Sequence, residues 1–198
     1  MITSLFLLLP AFLLSRLVPS FNRKVFVVCL LARLSISFLN IALEGNLIGA
    51  SVDAKSFYRE SISNVNSIAN LDWSQVFDGT SFFVNINSIL QFLNGEPSFF
   101  LAHMLSILIS SLCMVLLVKT YFLFPQATLN GGNILLLLYS FTPSILLYQS
   151  YILREASQSL CLLCMIYVPL HFAFKGFSIY WSLLWSLSFL CGFMLHWV

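Results

Sequence analysis

Six apolar runs, at residues 2–18, 25–43, 98–118, 133–153, 156–174 and 178–198, leave this chain few places to fold other than a lipid bilayer. A helix rises about 1.5 Å per residue, so a run of roughly 20 apolar residues matches a hydrocarbon core about 30 Å thick. The composition agrees. The chain is 60% hydrophobic and only 8% charged, against about a quarter charged in soluble domains. So few charges cannot cover a water-facing surface. The expected fold is all-α: a polytopic transmembrane helix bundle forming a single membrane domain over residues 1–198. Each run provides one span, and a partly helical extracytoplasmic loop occupies residues 44–97. The net charge of +2 is too small for the basic footprint of a nucleic-acid binder.

The cations suggest an orientation. No Lys or Arg precedes the first run, which argues against a signal peptide, and Arg16, Arg23 and Lys24 follow its apolar part. Positive charge favours the cytoplasmic side, so the N-terminus is expected outside. Residues 44–97 then lie outside, with the acids Glu44, Asp53, Glu60, Asp72, Asp78 and Glu96 against the cations Lys55 and Arg59. Lys119 and Lys175 mark cytoplasmic turns, and "QSYILREAS" faces outside again. The expected location is an inner or plasma membrane, with the site on the extracytoplasmic side.

Within the long loop, Phe82, Ile86, Ile89, Leu90 and Leu93 recur at spacings of three and four, which predicts an amphipathic helix over 81–93. It carries no basic residue, so it is suited to packing across the bundle or lying in the membrane interface. Cys29, Cys113, Cys161, Cys164 and Cys191 all fall within apolar runs. "CLLC" at 161–164 has CxxC spacing in a membrane helix, where packing is the expected role. No His/Asp ligand cluster suggests a metal, so no cofactor is expected, with a divalent metal as the unsupported alternative.

A few polar residues stand out. Arg33 sits inside the second run, where snorkelling or a structural pair would account for it. His103 starts the third run as an expected satisfied interfacial histidine, and Pro143 is an expected kink. Asp53 and the adjacent Arg154–Glu155 lie on separate loops at one predicted membrane face. A carboxylate at a dry boundary suits a general base, and an arginine fork suits a phosphate. Both placements also fit plain helix ends, with Asp53 as a cap.

The order of "ARL", "GASVDAKSFYRES" and "FTPSILLYQSYILREASQSL" resembles the N-terminal part of GT-C type polytopic membrane glycosyltransferases and related polysaccharide polymerases. The resemblance covers residues 32–160. It implies transfer of a sugar from a polyprenyl-phosphate-linked donor to a glycan or lipid acceptor in cell-envelope synthesis. It implies that Asp53 is the essential acid of the first outer loop, with Phe57 and Tyr58 following it. It matches the second segment at Pro143, Ser144, Arg154 and Glu155. On this reading Arg154 meets the donor phosphate, Glu155 orients it or pairs with Arg59, and Tyr58 contacts sugar. Members of the class commonly have more spans, so an incomplete enzyme is also expected. The alternatives are a polymerase of the same pathway and a non-catalytic scaffold or transporter subunit. No internal repeat favours transport.

Overall fold

A computed structural model describes residues 2–43, 51–70, 82–150 and 155–196, and every regular element among them is helical. In chain order these are α1 (Ile2–Leu13), a 3₁₀ turn (Leu14–Leu17), α2 (Ser20–Ala42), α3 (Ser51–Ala69), α4 (Phe82–Asn94), α5 (Phe99–Tyr121), α6 (Leu129–Phe141), α7 (Pro143–Tyr148), α8 (Glu155–Lys175) and α9 (Ile179–His196). Three of them, α2, α5 and α8, are long and apolar enough to cross a membrane. The chain is a helical membrane protein.

Two of the six apolar runs do not form single long helices, and proline explains the second. The first gives only the 12 residues of α1 and a 3₁₀ turn, about 18 Å of α-helix, short of a bilayer core. Pro19 is extended (φ −50°, ψ 142°) and starts α2 afresh. The fourth run breaks at Thr142, also extended (φ −61°, ψ 120°). Pro143 disfavours the helical region for the residue before it and then opens α7 at its first position. The remaining runs become α2, α5, α8 and α9 with small shifts at their ends.

Helix α5 is the centre, packed by α1, α2, α4, α6 and α8. Its unbroken buried stretch Leu101–Ile107 has no outward face, as expected of a helix enclosed by others. Phe26 and Leu30 of α2, Met104, Ile107 and Met114 of α5, and Leu136 of α6 form the apolar core. Pairings across the helices give their directions. Asn22 Nδ2 donates to Leu129 O at 2.8 Å, and Cys29 Sγ to Leu136 O at 3.7 Å, so α2 and α6 run parallel. Cys113 Sγ meets Ala156 O, and Phe124 meets Phe174 near the far ends, so α8 runs with α5. Helix α9 returns antiparallel along α8, with Tyr167 against Trp181 and Trp185 Nε1 donating to Met165 O.

Helices α3 and α4 pack on one another beside the start of α5. Gln91 of α4 ties them to it. Its Oε1 accepts from Ser98 N at 2.7 Å, and its Nε2 donates to Ser98 O at 3.1 Å. Ser98 in turn caps α5 by accepting from Leu101 N at 3.2 Å. The expected amphipathic helix is therefore present, with the apolar face of its second half outward. Asn85, Asn87, Ser88 and Gln91 are buried, while Ile89, Phe92 and Leu93 are exposed, Leu93 at 72%. An outward apolar face suits lipid surroundings, and the inward Gln91 and Asn85 find partners on Ser98 and Asn64.

Candidate functional site

Two of the three segments that carry the resemblance pack on one apolar cluster. Asp53 is the third residue of α3, and the helix buries the next residue, Ala54, to 1% exposure. Ala54, Phe83 of α4 and Ala102 of α5 form a small apolar cluster. Phe57 and Tyr58 of α3 pack on it, and so does Leu147 of α7, from the "PSILLYQ" stretch. Phe57 meets Phe83 edge-on at 5.9 Å, and Tyr58 meets Phe99 edge-on at 5.0 Å. Burial pushes the Tyr58 phenol above its ordinary range, so at neutral pH it remains a neutral hydroxyl able to donate. Arg59 is exposed, and Glu155 is half-buried at the first position of α8. Arg154 lies outside the described residues, and so does the Asp53 side chain.

A second constellation lies directly below, and sequence reasoning passed over most of it. Arg33, Ser37 and Asn40 share one face of α2, and His103, Ser106 and Ser110 share the facing side of α5. All six are fully buried. The Asn40–His103 pair is at one end and Arg33 with Ser110 at the other, so the two helices run antiparallel. His103 Nδ1 lies 3.0 Å from Phe99 O, and its Nε2 lies 3.0 Å from Asn40 Nδ2. A carbonyl only accepts, so Nδ1 carries the proton and Nε2 accepts from the amide. The expected satisfied histidine is present, buried rather than interfacial.

Of the two readings of Arg33, the structural pair is the one found. The side chain does not snorkel, having 0% exposure, and among the described residues no carboxylate hydrogen-bonds it. Its partner is neutral: Nη1 donates to Gln149 Oε1 at 2.9 Å. The same oxygen receives Tyr139 Oη at 3.0 Å and Ser110 Oγ at 3.3 Å. A carbonyl offers two lone pairs, so Ser110 is the weakest of the three donors. Gln149 Nε2 donates to Tyr139 Oη and Ser159 Oγ, each at 2.9 Å. Beside it, Ser37 Oγ donates to Ser150 O. The segment after α7 is thus anchored into the bundle interior at two consecutive residues.

The guanidinium also sits over the Tyr139 ring, 5.4 Å from its centroid. A hydrogen bond to a charged group contributes about 1.5–3 kcal/mol and a cation–π contact up to about 2 kcal/mol. Burying an ion costs several kcal/mol on its own, so these contacts offset the charge only in part. Consistently, Nε and Nη2 have no hydrogen-bond partner, and neither does Ser106 Oγ. The sequence did carry a signal for this seam: polar residues at spacings of three and four inside two apolar runs. Gln149 and Tyr139 had no such signal, because they reach the seam only through the break at Pro143.

Among the described residues no cluster of His, Cys, Asp or Glu is placed to hold a metal ion. The five cysteines are free thiols. A cleft of about 170 Å³ between α3 and α4, lined by Val65, Gln91, Phe92, Gly95, Glu96 and Pro97, is smaller than the roughly 300–1,000 Å³ of ligand pockets. No family model, curated protein or solved structure matches the chain.

Proposed function

We propose that the protein is a membrane glycosyltransferase of GT-C type, transferring a sugar from a polyprenyl-phosphate donor to a glycan or lipid acceptor. The observation that supports this most is the meeting of Ala54, Phe57 and Tyr58 with Leu147 around Ala102. Two sequence segments far apart in the chain, one with Asp53 and one with Arg154, contribute residues to one apolar cluster. A scaffold has no need of that juxtaposition.

In the proposed reaction Asp53 takes the proton from the acceptor hydroxyl as its oxygen attacks the anomeric carbon. The bond from that carbon to the phosphate oxygen breaks, and the polyprenyl phosphate leaves with the electron pair. Arg154 stabilises that phosphate, with Glu155 orienting the arginine or pairing with Arg59. Tyr58 offers a hydroxyl to the sugar. We place all six apolar runs in the bilayer, the shorter helices as partial spans. The α3–α4 side faces outward from an inner or plasma membrane, following the cation distribution.

The test is sugar transfer in membranes containing the protein and a radiolabelled polyprenyl-phosphate sugar. Asp53→Asn lowers the rate by about 10²–10⁴-fold, the usual contribution of a general base, and leaves the protein folded. An unchanged rate in a folded Asp53→Asn protein removes the proposal.

A further inference from the structure

We infer that the free edge of Arg33 is a binding site for a phosphate oxyanion inside the helix bundle. The edge itself carries the inference. A guanidinium offers Nε–H and one Nη2–H side by side, the parallel pair of donors that matches two oxygens of a phosphate or carboxylate. In Arg33 those two nitrogens are the ones without a partner, while Nη1 is held by Gln149. The side chain is therefore fixed by one nitrogen and unpartnered along its bidentate edge.

The surroundings favour an anion, and phosphate among anions. Arg33 is fully buried, and among the described residues no acid hydrogen-bonds it, so its charge asks for a negative partner. Ser106 Oγ is a third buried group without a partner. It lies on the face of α5 between His103 and Ser110, both joined by hydrogen bonds to the residues that meet α2. A phosphate carries further oxygens beyond the two that meet the arginine, and one of them can accept from a serine hydroxyl. The site is separate from the transferase reading, which gives the donor phosphate to Arg154. Failure at Arg33 would leave sugar transfer by Asp53 standing, and the reverse also holds.

The experiment uses the full chain in dodecyl maltoside and a phosphate-free buffer, with melting followed by tryptophan fluorescence. The probes are polyprenyl monophosphate, the matching polyprenol and inorganic phosphate. Polyprenyl phosphate raises Tm and polyprenol does not. An equal rise with inorganic phosphate identifies a free-phosphate site, and a rise with the lipid alone identifies a lipid headgroup. Both outcomes support the oxyanion site. Arg33→Gln weakens phosphate binding at least about thirtyfold, as for loss of a buried charged partner. Arg33→Lys keeps the charge without the fork and weakens it about tenfold, which keeps the test available if the glutamine variant does not fold. A Tm shift that is the same in Arg33→Gln and Arg33→Lys as in the wild type overturns the inference. So does an equal shift with polyprenol, or no shift with either phosphate. The last result, with Arg33→Gln destabilising the phosphate-free protein, would assign Arg33 to a carboxylate of the chain itself.

Discussion

Arg33 and Gln149, 116 positions apart, are joined by a 2.9 Å hydrogen bond from Nη1 to Oε1 in the buried centre of the bundle. The amide must present its oxygen to the guanidinium, since the reverse orientation would set donors against donors. That choice turns Nε2 toward Tyr139 and Ser159, so one glutamine links α2, α6, α8 and the turn after α7. Gln149→Leu strands several buried polar groups at once. Each costs about 1–3 kcal/mol when left unpaired, and the loss in unfolding free energy should reach about 3 kcal/mol or more. Chemical denaturation in detergent micelles measures it, and a loss under about 1 kcal/mol would mean water replaces the amide.

Gln149→Glu has the opposite sign. A carboxylate at this point supplies the negative charge that Arg33 lacks among the described residues, and the hydroxyls of Tyr139 and Ser159 can reorient to donate to it. The variant should melt higher than the wild type in phosphate-free buffer. An unchanged or lower Tm would show that Arg33 is already neutralised.

Helix α4 gives a paired prediction. Gln91 is 1% exposed and Leu93 is 72% exposed. Gln91→Leu removes both bonds to Ser98 and should cost about 1–3 kcal/mol through the stranded backbone groups. Leu93→Ala should stay within about 0.5 kcal/mol in micelles. A helix turned the other way would reverse the order of the two variants, so their ranking in thermal melts is decisive.

This helix also shows where sequence reading stops. The spacing of Ile86, Ile89, Leu90 and Leu93 defined an apolar face correctly, but periodicity does not say whether that face meets protein or lipid. Length and hydropathy made α2, α5, α8 and α9 legible, because each run is continuous and free of a break. The fourth run read as one helix because Pro143 can kink a membrane helix without breaking it; here it breaks the helix, and beyond the break Gln149 and Ser150 bond into the bundle. Arg33 was visible as an oddity in its run. Its burial was not, since that depends on Gln149 arriving from a distant segment.

Two glycines should respond in opposite ways. A methyl group on Gly132 would lie 2.9 Å from Asn22 Nδ2 and 3.2 Å from the Phe122 ring. That nitrogen is already committed to Leu129 O and Asn133 Oδ1, each at 2.8 Å, so it cannot withdraw without loss. Gly132→Ala should destabilise by about 1–3 kcal/mol, the usual cost of overpacking. On Gly192 the same methyl meets Cys161 Cβ at 3.4 Å and Met165 Cε at 3.6 Å, ordinary contact across α8 and α9. Gly192→Ala should stabilise by up to about 1 kcal/mol through helix propensity alone. Equal effects at the two sites in the same denaturation assay would contradict the described packing of α2 against α6.

Tyr58 links stability to alkaline pH. Its phenol is raised by burial against Phe99, while the unfolded chain ionises near pH 10. Below that pH both states hold the proton, and the buried neutral ring contributes its full stability. As pH climbs past the unfolded value, the unfolded state releases the proton first and is favoured, so stability falls until the folded phenol also ionises. Tyr58→Phe keeps the ring and has no proton to lose. The stability difference between wild type and Tyr58→Phe should therefore stay constant from pH 7 to about 9 and shift against the wild type above about 10. Denaturation curves at matched ionic strength measure it. Parallel pH profiles for the two proteins through pH 11 would mean that the hydroxyl reaches water freely and that the ring is less enclosed than its edge-on contact with Phe99 indicates.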